Sequence, residues 1–464
     1  MALRRHVTIL SLCASVAMVF LTVSASAESK ARIVRLSEVQ GAVQIDRAAG
    51  DGFGKAFINL PVVEGSRVKT GEDGRAEIEF EDGSALRLAP NSEVDFIRLA
   101  LGDDGQKLSA VQLVSGTVYG NLHPKKASQK DGMGDDCHLI VADETVSVAA
   151  AAHFRVEFSG ANQATVAVLK GKVSAAGPSG QFEVAEKHSA TIKFAKDKVA
   201  ESNRAEPAKK DTFTIAKNYD SAPSDEWDRQ QTDYHDQYAV MGGTNVAGTN
   251  SSSPYSYGMS DLNYYGSFSN LPGYGNVWQP YFIGANWSPF EDGAWAFYPG
   301  AGYMWVSGYP WGWMPYRYGS WAFASGFGWF WQPGYGTSYY ALPQVMNAPL
   351  GAVVPAAPTT GHETIMVGRG LSADPAAGIL EHLTIRPGSA GFGVPRGSVG
   401  HLDRVAKTMQ RTARPEVVRT IQPASSLAYG SGFGANAPSM TGTSAVGART
   451  SGQESTAVSR AHPH

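Results

Sequence analysis

Four adjacent residues, Asp135-Asp136-Cys137-His138, form the one compact run of metal-ligating side chains in the sequence. Thiolate, imidazole and carboxylate are all suitable donors for a metal ion. Adjacent side chains on an extended backbone point to opposite faces, however, so these four do not converge on one ion. The expectation is a loop ahead of a Leu139-Ile140-Val141 strand, with no metal. His153 and His188 fall in strand-like stretches and are expected as edge or packing residues. No G-x-S-x-G elbow, H-E-x-x-H pair, P-loop or dinucleotide-binding glycine pattern occurs. No catalytic residue and no cofactor are therefore expected, and the chain reads as a non-enzyme. The side chains best suited to recognition are aromatic. Tyr309, Trp311, Trp313, Tyr316 and Tyr318 cluster around Arg317. Flat apolar faces with a polar edge suit sugar rings, glycan strands or another protein, and Arg317 could stack on them or pair with an acidic group. These six residues are the candidate binding surface. The plainer reading is that the rings only build a core.

The elements carrying those rings repeat. Nine of the ten tryptophans lie between Trp278 and Trp331, in a segment with a period of about 26 residues. Laying Trp287-Ser288-Pro289-Phe290 over Trp313-Met314-Pro315-Tyr316 brings Gly293 onto Gly319, Trp295 onto Trp321, Phe297 onto Phe323, Tyr303 onto Trp329 and Trp305 onto Trp331. A partial unit, 273–280, resembles 326–333. Self-similarity at a fixed period marks a repeat architecture, and repeated positions are unlike catalytic ones, which are usually unique. Trp295 and Phe297 alternate with Ala296, and Tyr303 and Trp305 with Met304, so each unit reads as a hairpin with an aromatic face. The six candidate residues fall in the loop between hairpins, where rings are harder to bury.

Residues 31–194 read as many short strands separated by glycine and Asp-Gly turns, without a helix. One hairpin can be derived in detail. A two-residue Asp82-Gly83 turn would put the apolar sets on opposite faces. A three-residue loop, Glu81-Asp82-Gly83, instead pairs Phe80 with Ser84, Ile78 with Leu86, Ala76 with Leu88 and Glu77 with Arg87, with Gly83 left-handed. The stripe of Glu77, Glu79 and Glu81 is then expected to be the solvated face of its strand.

Several motifs here resemble the FecR domain: Gly41-Ala-Val-Gln-Ile45, Gly65-Ser-Arg-Val-Lys-Thr-Gly71, 76–80 followed by Asp82-Gly-Ser84, and Leu88-Ala-Pro-Asn-Ser-Glu93. Val114-Ser-Gly-Thr-Val118, 141–158 and Val166-Ala-Val-Leu-Lys-Gly-Lys-Val173 complete most of that family's motif order. The resemblance implies an antiparallel β fold. FecR proteins are membrane-spanning regulators that relay a signal from an outer-membrane transporter to a cytoplasmic sigma factor. This chain departs from them, with an export signal in place of the sigma-binding segment and membrane helix, so the anti-sigma role does not carry over. The tryptophan repeat is similar to a companion region of exported FecR-like proteins that has no known function.

Residues 1–27 have the basic start, apolar run and Ala25-Ser26-Ala27 of a cleaved signal peptide, with cleavage after Ala27. The mature chain is thus expected in the periplasm or outside the cell, without a transmembrane helix. Only Cys137 remains after cleavage, so no internal disulfide forms. A net charge of -3 gives no whole-chain basic character for nucleic acid. The chain divides into a FecR-like β domain (28–198), a linker (199–270) with one helix at 224–238 docked by Trp227, hairpin repeats (271–340) and a tail (341–464). That tail is rich in small and polar residues and is expected to be mostly disordered. The fold class is all-β. The expected function is an envelope interaction or sensing module binding a protein or glycan, with a purely structural scaffold and a periplasmic part in FecR-type signalling as alternatives.

Overall fold

The computed structural model describes residues 32–102, 105–124, 126, 135–159, 162–194, 211–239, 257–334, 339–368, 383–411 and 419–421. The expected signal segment lies outside the described residues, as does most of the tail beyond residue 411.

Seventeen strands of the N-terminal part form two faces joined by one long strand, Lys107–Leu122. Its first half pairs with Glu93–Leu101 and, in parallel, with Asp136–Val141. Its second half pairs with Ala85–Leu88 and Ala152–Phe158. The strand crosses from one face to the other at Gly116, whose φ is +92°. A Cβ there would lie 2.4 Å from the Ser92 Cα, so only glycine fits the crossing. Alternating aliphatic and aromatic residues from both faces, among them Leu36, Ile78, Leu88, Leu113, Phe154 and Val166, fill one core. The 76–88 hairpin takes the bulged register expected from the sequence. Ala76 faces Leu88, Glu77 faces Arg87 and Ile78 faces Leu86. The Phe80 amide donates to the Ser84 carbonyl at 2.8 Å, and Gly83 is left-handed at φ +82°.

The described parts of the stretch expected as a linker carry a strand and two helices. Thr212–Ala216 adds a strand beside Ser189–Lys193. Helix α1, Asp225–Ala239, carries Asp225, Glu226 and Asp228 in its first turn, where negative charge suits the helix dipole. Its buried stripe of Trp227, Asp228, Gln231, Tyr234 and Tyr238 lies on one side, as an amphipathic helix requires. Trp227 is buried beneath the Arg75 guanidinium, in keeping with its expected docking role. Helix α2, Met259–Tyr265, follows.

Three hairpins, not two and a fragment, make up the repeat. Gly266–Leu271 pairs with Gly275–Pro280, Gly293–Tyr298 with Gly302–Ser307, and Ser320–Ala324 with Gly328–Gln332. All three share one turn. The Tyr274, Ala301 and Phe327 amides bond the carbonyls three residues back, with Gly273, Gly300 and Gly326 left-handed at the third turn position. The leading strand of the first hairpin is hidden from sequence comparison because Phe268 stands where the others have Trp295 and Trp321. One rule survives in every unit: a glycine opens the hairpin and a tryptophan follows twelve residues later. A Cβ on Gly266 would lie 2.4 Å from the Trp278 ring, one on Gly293 2.4 Å from Trp305, and one on Gly319 2.8 Å from Trp331. Each indole lies across the bare backbone of its glycine.

The hairpins do not stack in order. The first and third join edge to edge through Trp278 and Trp331. The second forms a separate sheet with Ile365–Val367. Its outer face, Ala296, Tyr298, Met304 and Val306, belongs to the core of the N-terminal sandwich, while its aromatic face belongs to the tryptophan core. The Tyr298 hydroxyl donates to the Pro61 carbonyl at 2.6 Å, and the Asn59 side-chain amide to the Tyr309 carbonyl at 2.7 Å. Between the second and third hairpins lies helix α3, the single turn Met314–Arg317.

Part of the expected disordered tail is folded. Residues 340–347 run along the third hairpin, with the Trp321 amide bonded to the Gln344 carbonyl and the Met346 amide to the Trp321 carbonyl. Helix α4, Leu402–Arg411, buries Leu402, Val405, Ala406 and Met409 in the tryptophan core. The apolar residues of this helix find their partners in aromatic residues far earlier in the chain.

Candidate functional site

The six candidate binding residues come together, but inside the protein. Trp311 and Trp313 are 0% exposed, and Tyr309, Tyr316, Arg317 and Tyr318 are also buried. Tyr309 stacks on Trp311 at 4.8 Å between ring centroids, and Trp311 meets Trp278 at 4.9 Å. The Trp311 indole donates to the Ala390 carbonyl at 2.7 Å, so the tail closes over the very ring expected to be open. The Tyr316 hydroxyl donates to the Pro289 carbonyl, and the Tyr257 and Tyr318 hydroxyls share a bond of 2.8 Å. The expectation of an exposed platform is thereby corrected. The loop between hairpins folds inward through α3, and rings of this size, burying roughly 150–250 Å² each, substitute for an aliphatic core.

Arg317 stacks as expected, 5.3 Å from the Trp313 centroid and 5.2 Å from that of Tyr339. Its guanidinium donates to the carbonyls of Trp305, Tyr340 and Ala341 rather than to an acidic ligand. Those bonds tie the second hairpin to the start of the tail.

A second cluster was not anticipated. Glu77, Glu79 and Glu81 are 0%, 2% and 5% exposed. Their face of the strand is roofed by α1, α2 and residues 394–399, none of which is near in sequence. Arg35 pairs with Glu79 at 2.8 Å and with Asp261 of α2. Arg87 pairs with Glu77 at 2.8 Å and with Asp228 of α1 at 2.7 Å. Arg32 pairs with Glu81 at 2.7 Å. Arg396 reaches back from the tail to Glu77 at 2.7 Å, Asp261 at 3.1 Å and the Ser37 carbonyl at 2.9 Å, with its guanidinium over the Tyr234 ring at 5.0 Å. The His235 imidazole lies 2.9 Å from Glu77, and that of His153 lies 2.7 Å from Asp228.

Burial alone would raise the Glu77 carboxyl, but His235, Arg396 and Arg87 outweigh it and hold the group well below the usual carboxylate range. Asp261 is likewise held low, with burial overcome by Arg396 and Arg35. Glu38 is the exception, since burial raises its carboxyl and Arg396, 3.9 Å away, offsets this only in part. A buried charge without its partner is costly, so the cluster locks sandwich, helices and tail into one arrangement. The alternation of Glu77, Glu79 and Glu81 reads as a solvated face because its covering arginine lies more than three hundred residues on.

The Asp135–His138 run is strand rather than loop from Asp136 onward. Asp136 and His138 share one face, 2.7 Å apart, and His138 also meets the Ser147 hydroxyl at 2.9 Å. Cys137 turns the other way, against the sandwich core, and burial pushes its thiol up to about 12. Among the described residues no group of three or more His, Cys, Asp or Glu side chains could hold a metal ion. His188 bonds the Glu186 carbonyl at 2.8 Å.

With this geometry in view, the chain carries a match to the FecR protein family over residues 66–174 and to a family of unknown function (DUF6600) over residues 259–358. The first covers the heart of the sandwich, and the second covers the three hairpins and the start of the tail. Among solved structures the chain is similar to two of a putative anti-sigma factor from Parabacteroides distasonis. These are 15% and 14% identical, each over 27% of this chain and 54% of that one, with TM-scores of 0.23. The chain thus spans about half the length of the structures it matches. No curated protein matches it. Among the described residues no helix is long and apolar enough to cross a membrane. The FecR match fits a signalling or sensing module.

Proposed function

We propose that this chain is an exported, non-enzymatic envelope protein that works as a protein-interaction or sensing module in the periplasm or outside the cell. The observation that carries the reading is the buried cluster around Glu77, in which the FecR-like sandwich, the helices and the tail share one set of charges. A partner contacting any of these parts acts on all of them. The FecR match supports a regulatory rather than a catalytic role. Burial of the repeat's rings supports a scaffold role for the hairpins and takes away the platform on which a glycan would stack.

A photo-crosslinking amino acid placed at exposed positions of the full exported chain, in the cell that makes it, tests the reading. A discrete protein adduct that disappears when the Glu77 cluster is broken is the expected result. Retention of the purified chain on peptidoglycan or insoluble polysaccharide without any protein adduct would transfer the function to glycans. Absence of both the adduct and the retention would leave the hairpins as scaffold and overturn the proposal. If the adduct is a membrane protein, the chain acts as the periplasmic part of FecR-type signalling with a separate membrane partner.

A further inference from the structure

A cleft of about 410 Å³ opens where the sandwich meets the Ile365–Val367 strand. That volume lies within the roughly 300–1,000 Å³ of small binding sites. Ile45, Phe57, Leu60 and Met366 give it an apolar lining, and Arg47 and Lys55 lie at the same cleft. Two strands border it, and each is the last of its run among the described residues. Phe53–Lys55 pairs with Val43–Asp46 alone, and Ile365–Val367 with Gly293–Tyr298 alone.

The pairing register says which peptide groups are free. The Ala56 amide bonds the Val43 carbonyl, so in an antiparallel ladder Gly54 bonds inward to Ile45 while Phe53 and Lys55 turn their peptide groups to the open edge. On the other side the Gly308 amide bonds the Asp292 carbonyl, which by the same alternation leaves Gly293 and Trp295 bonded to Val367 and Ile365. Met366 then turns its peptide group outward. Its side chain and that of Ile365 are 43% and 41% exposed.

Gly54 supplies an independent observation. Its φ is not in the left-handed region, and nothing lies within 4 Å of where a Cβ would be. Neither conformation nor packing within this chain therefore requires glycine there. Glycine inside a strand weakens it and often marks a place where another backbone approaches closely. Of the acidic residues at the cleft, Asp46 is already paired with Arg67 at 2.7 Å. That leaves Asp51 against Arg47 and Lys55, so the cleft has cationic character.

We propose that this cleft receives an extended peptide segment of a partner protein, with acidic and apolar residues alternating, added as a strand to the Phe53–Lys55 edge. Main-chain bonds to Phe53 and Lys55 would supply affinity, the apolar lining would take alternate side chains, and Lys55 would face the carboxylates between them. The inference rests on the protein-interaction reading above and names where and what the chain binds.

The test uses the mature chain and fluorescein-labelled hexapeptides, read by fluorescence anisotropy. The probes are Glu-Val-Glu-Val-Glu-Val, its lysine counterpart, and the acidic peptide N-methylated at alternate residues. The acidic peptide should bind at least about tenfold more tightly than either of the others. Gly54→Val should leave the Tm unchanged or raised and weaken the acidic peptide at least about tenfold, while Lys55→Glu should reverse the charge preference. Equal binding to Gly54→Val and wild type, or no binding up to about 1 mM, overturns the proposal. If crosslinking in cells still yields a protein adduct that Gly54→Val does not alter, the cleft assignment alone has failed. If no adduct forms at all, the interaction reading has failed with it.

Discussion

Replacing Arg396 with methionine removes a guanidinium that bonds two carboxylates and a carbonyl, lies 3.9 Å from a third carboxylate, Glu38, and covers a ring, and leaves the shape of its stem in place. Breaking a buried ion pair by removing one partner costs about 3–5 kcal/mol. The lower end of that range applies here. Glu77 keeps Arg87 at 2.8 Å and His235 at 2.9 Å, and Asp261 keeps Arg35, so neither acid is left wholly uncompensated. The expected loss is about 3 kcal/mol at pH 7. Lys172→Met serves as the control, because its pair with Glu183 is half exposed on both sides and is expected to be worth less than about 1 kcal/mol. Urea titration followed by tryptophan emission measures both. The pH dependence supplies a second signature. Glu77 and Asp261 have folded pKa values below the ordinary range. Their contribution is therefore present above the unfolded carboxylate values, near about 4, and is lost as pH falls through the lower folded values. Without Arg396 both acids protonate more readily, so the gap between variant and wild type should close below about pH 4. A loss no larger than that of Lys172→Met, or a gap that widens in acid, would refute the assignment of Arg396 to this cluster.

Three further outcomes follow from the packing. Gly293→Ala sets a Cβ 2.4 Å from the Trp305 ring and should cost about 1–3 kcal/mol, read as a lowered urea midpoint. Trp311→Ala and Trp313→Ala should each destabilise the chain by about 3–5 kcal/mol, whereas rings on a free surface would leave the unfolding midpoint unchanged. Cys137, with a thiol pushed up to about 12, should resist iodoacetamide at pH 8 in the native chain and react on unfolding, as followed by peptide mass mapping.

Local patterns are legible in the sequence wherever partners are close along the chain. The 76–88 register follows from keeping Ala76, Ile78 and Phe80 on the same face as Leu86 and Leu88. The repeat alignment locates two hairpins and half of a third, and it misses Gly266–Leu271 only because Phe268 replaces tryptophan. Exposure is what sequence does not carry. Alternating charge at Glu77, Glu79 and Glu81 bears no mark of what lies above it, and Arg396 is invisible as a partner until the fold brings it back. The loop from Tyr309 to Tyr318 misleads for the opposite reason. Aromatic density argues equally for a surface or a core, and only the short helix at Met314–Arg317 turns the rings inward. Arg317 stacks as its neighbours suggest, yet the carbonyls it holds leave no place for an acidic ligand.

The bond from Arg396 to the Ser37 carbonyl spans 359 positions of the chain, and that to Glu77 spans 319. A chain delivered from its N-terminus first presents the acidic strand, with Arg32, Arg35 and Arg87, long before the last of its arginines. Until then Glu77 has Arg87 and His235 but lacks its third partner, and Asp261 has Arg35 and Tyr234 alone. Closing so long a loop costs little more free energy than closing a shorter one, since that term grows only as the logarithm of length, but it places the last contact late in time. A chain that ends before residue 396 lacks the one guanidinium that joins Glu77, Asp261 and the Ser37 carbonyl, so sandwich, α2 and tail lose the group they share.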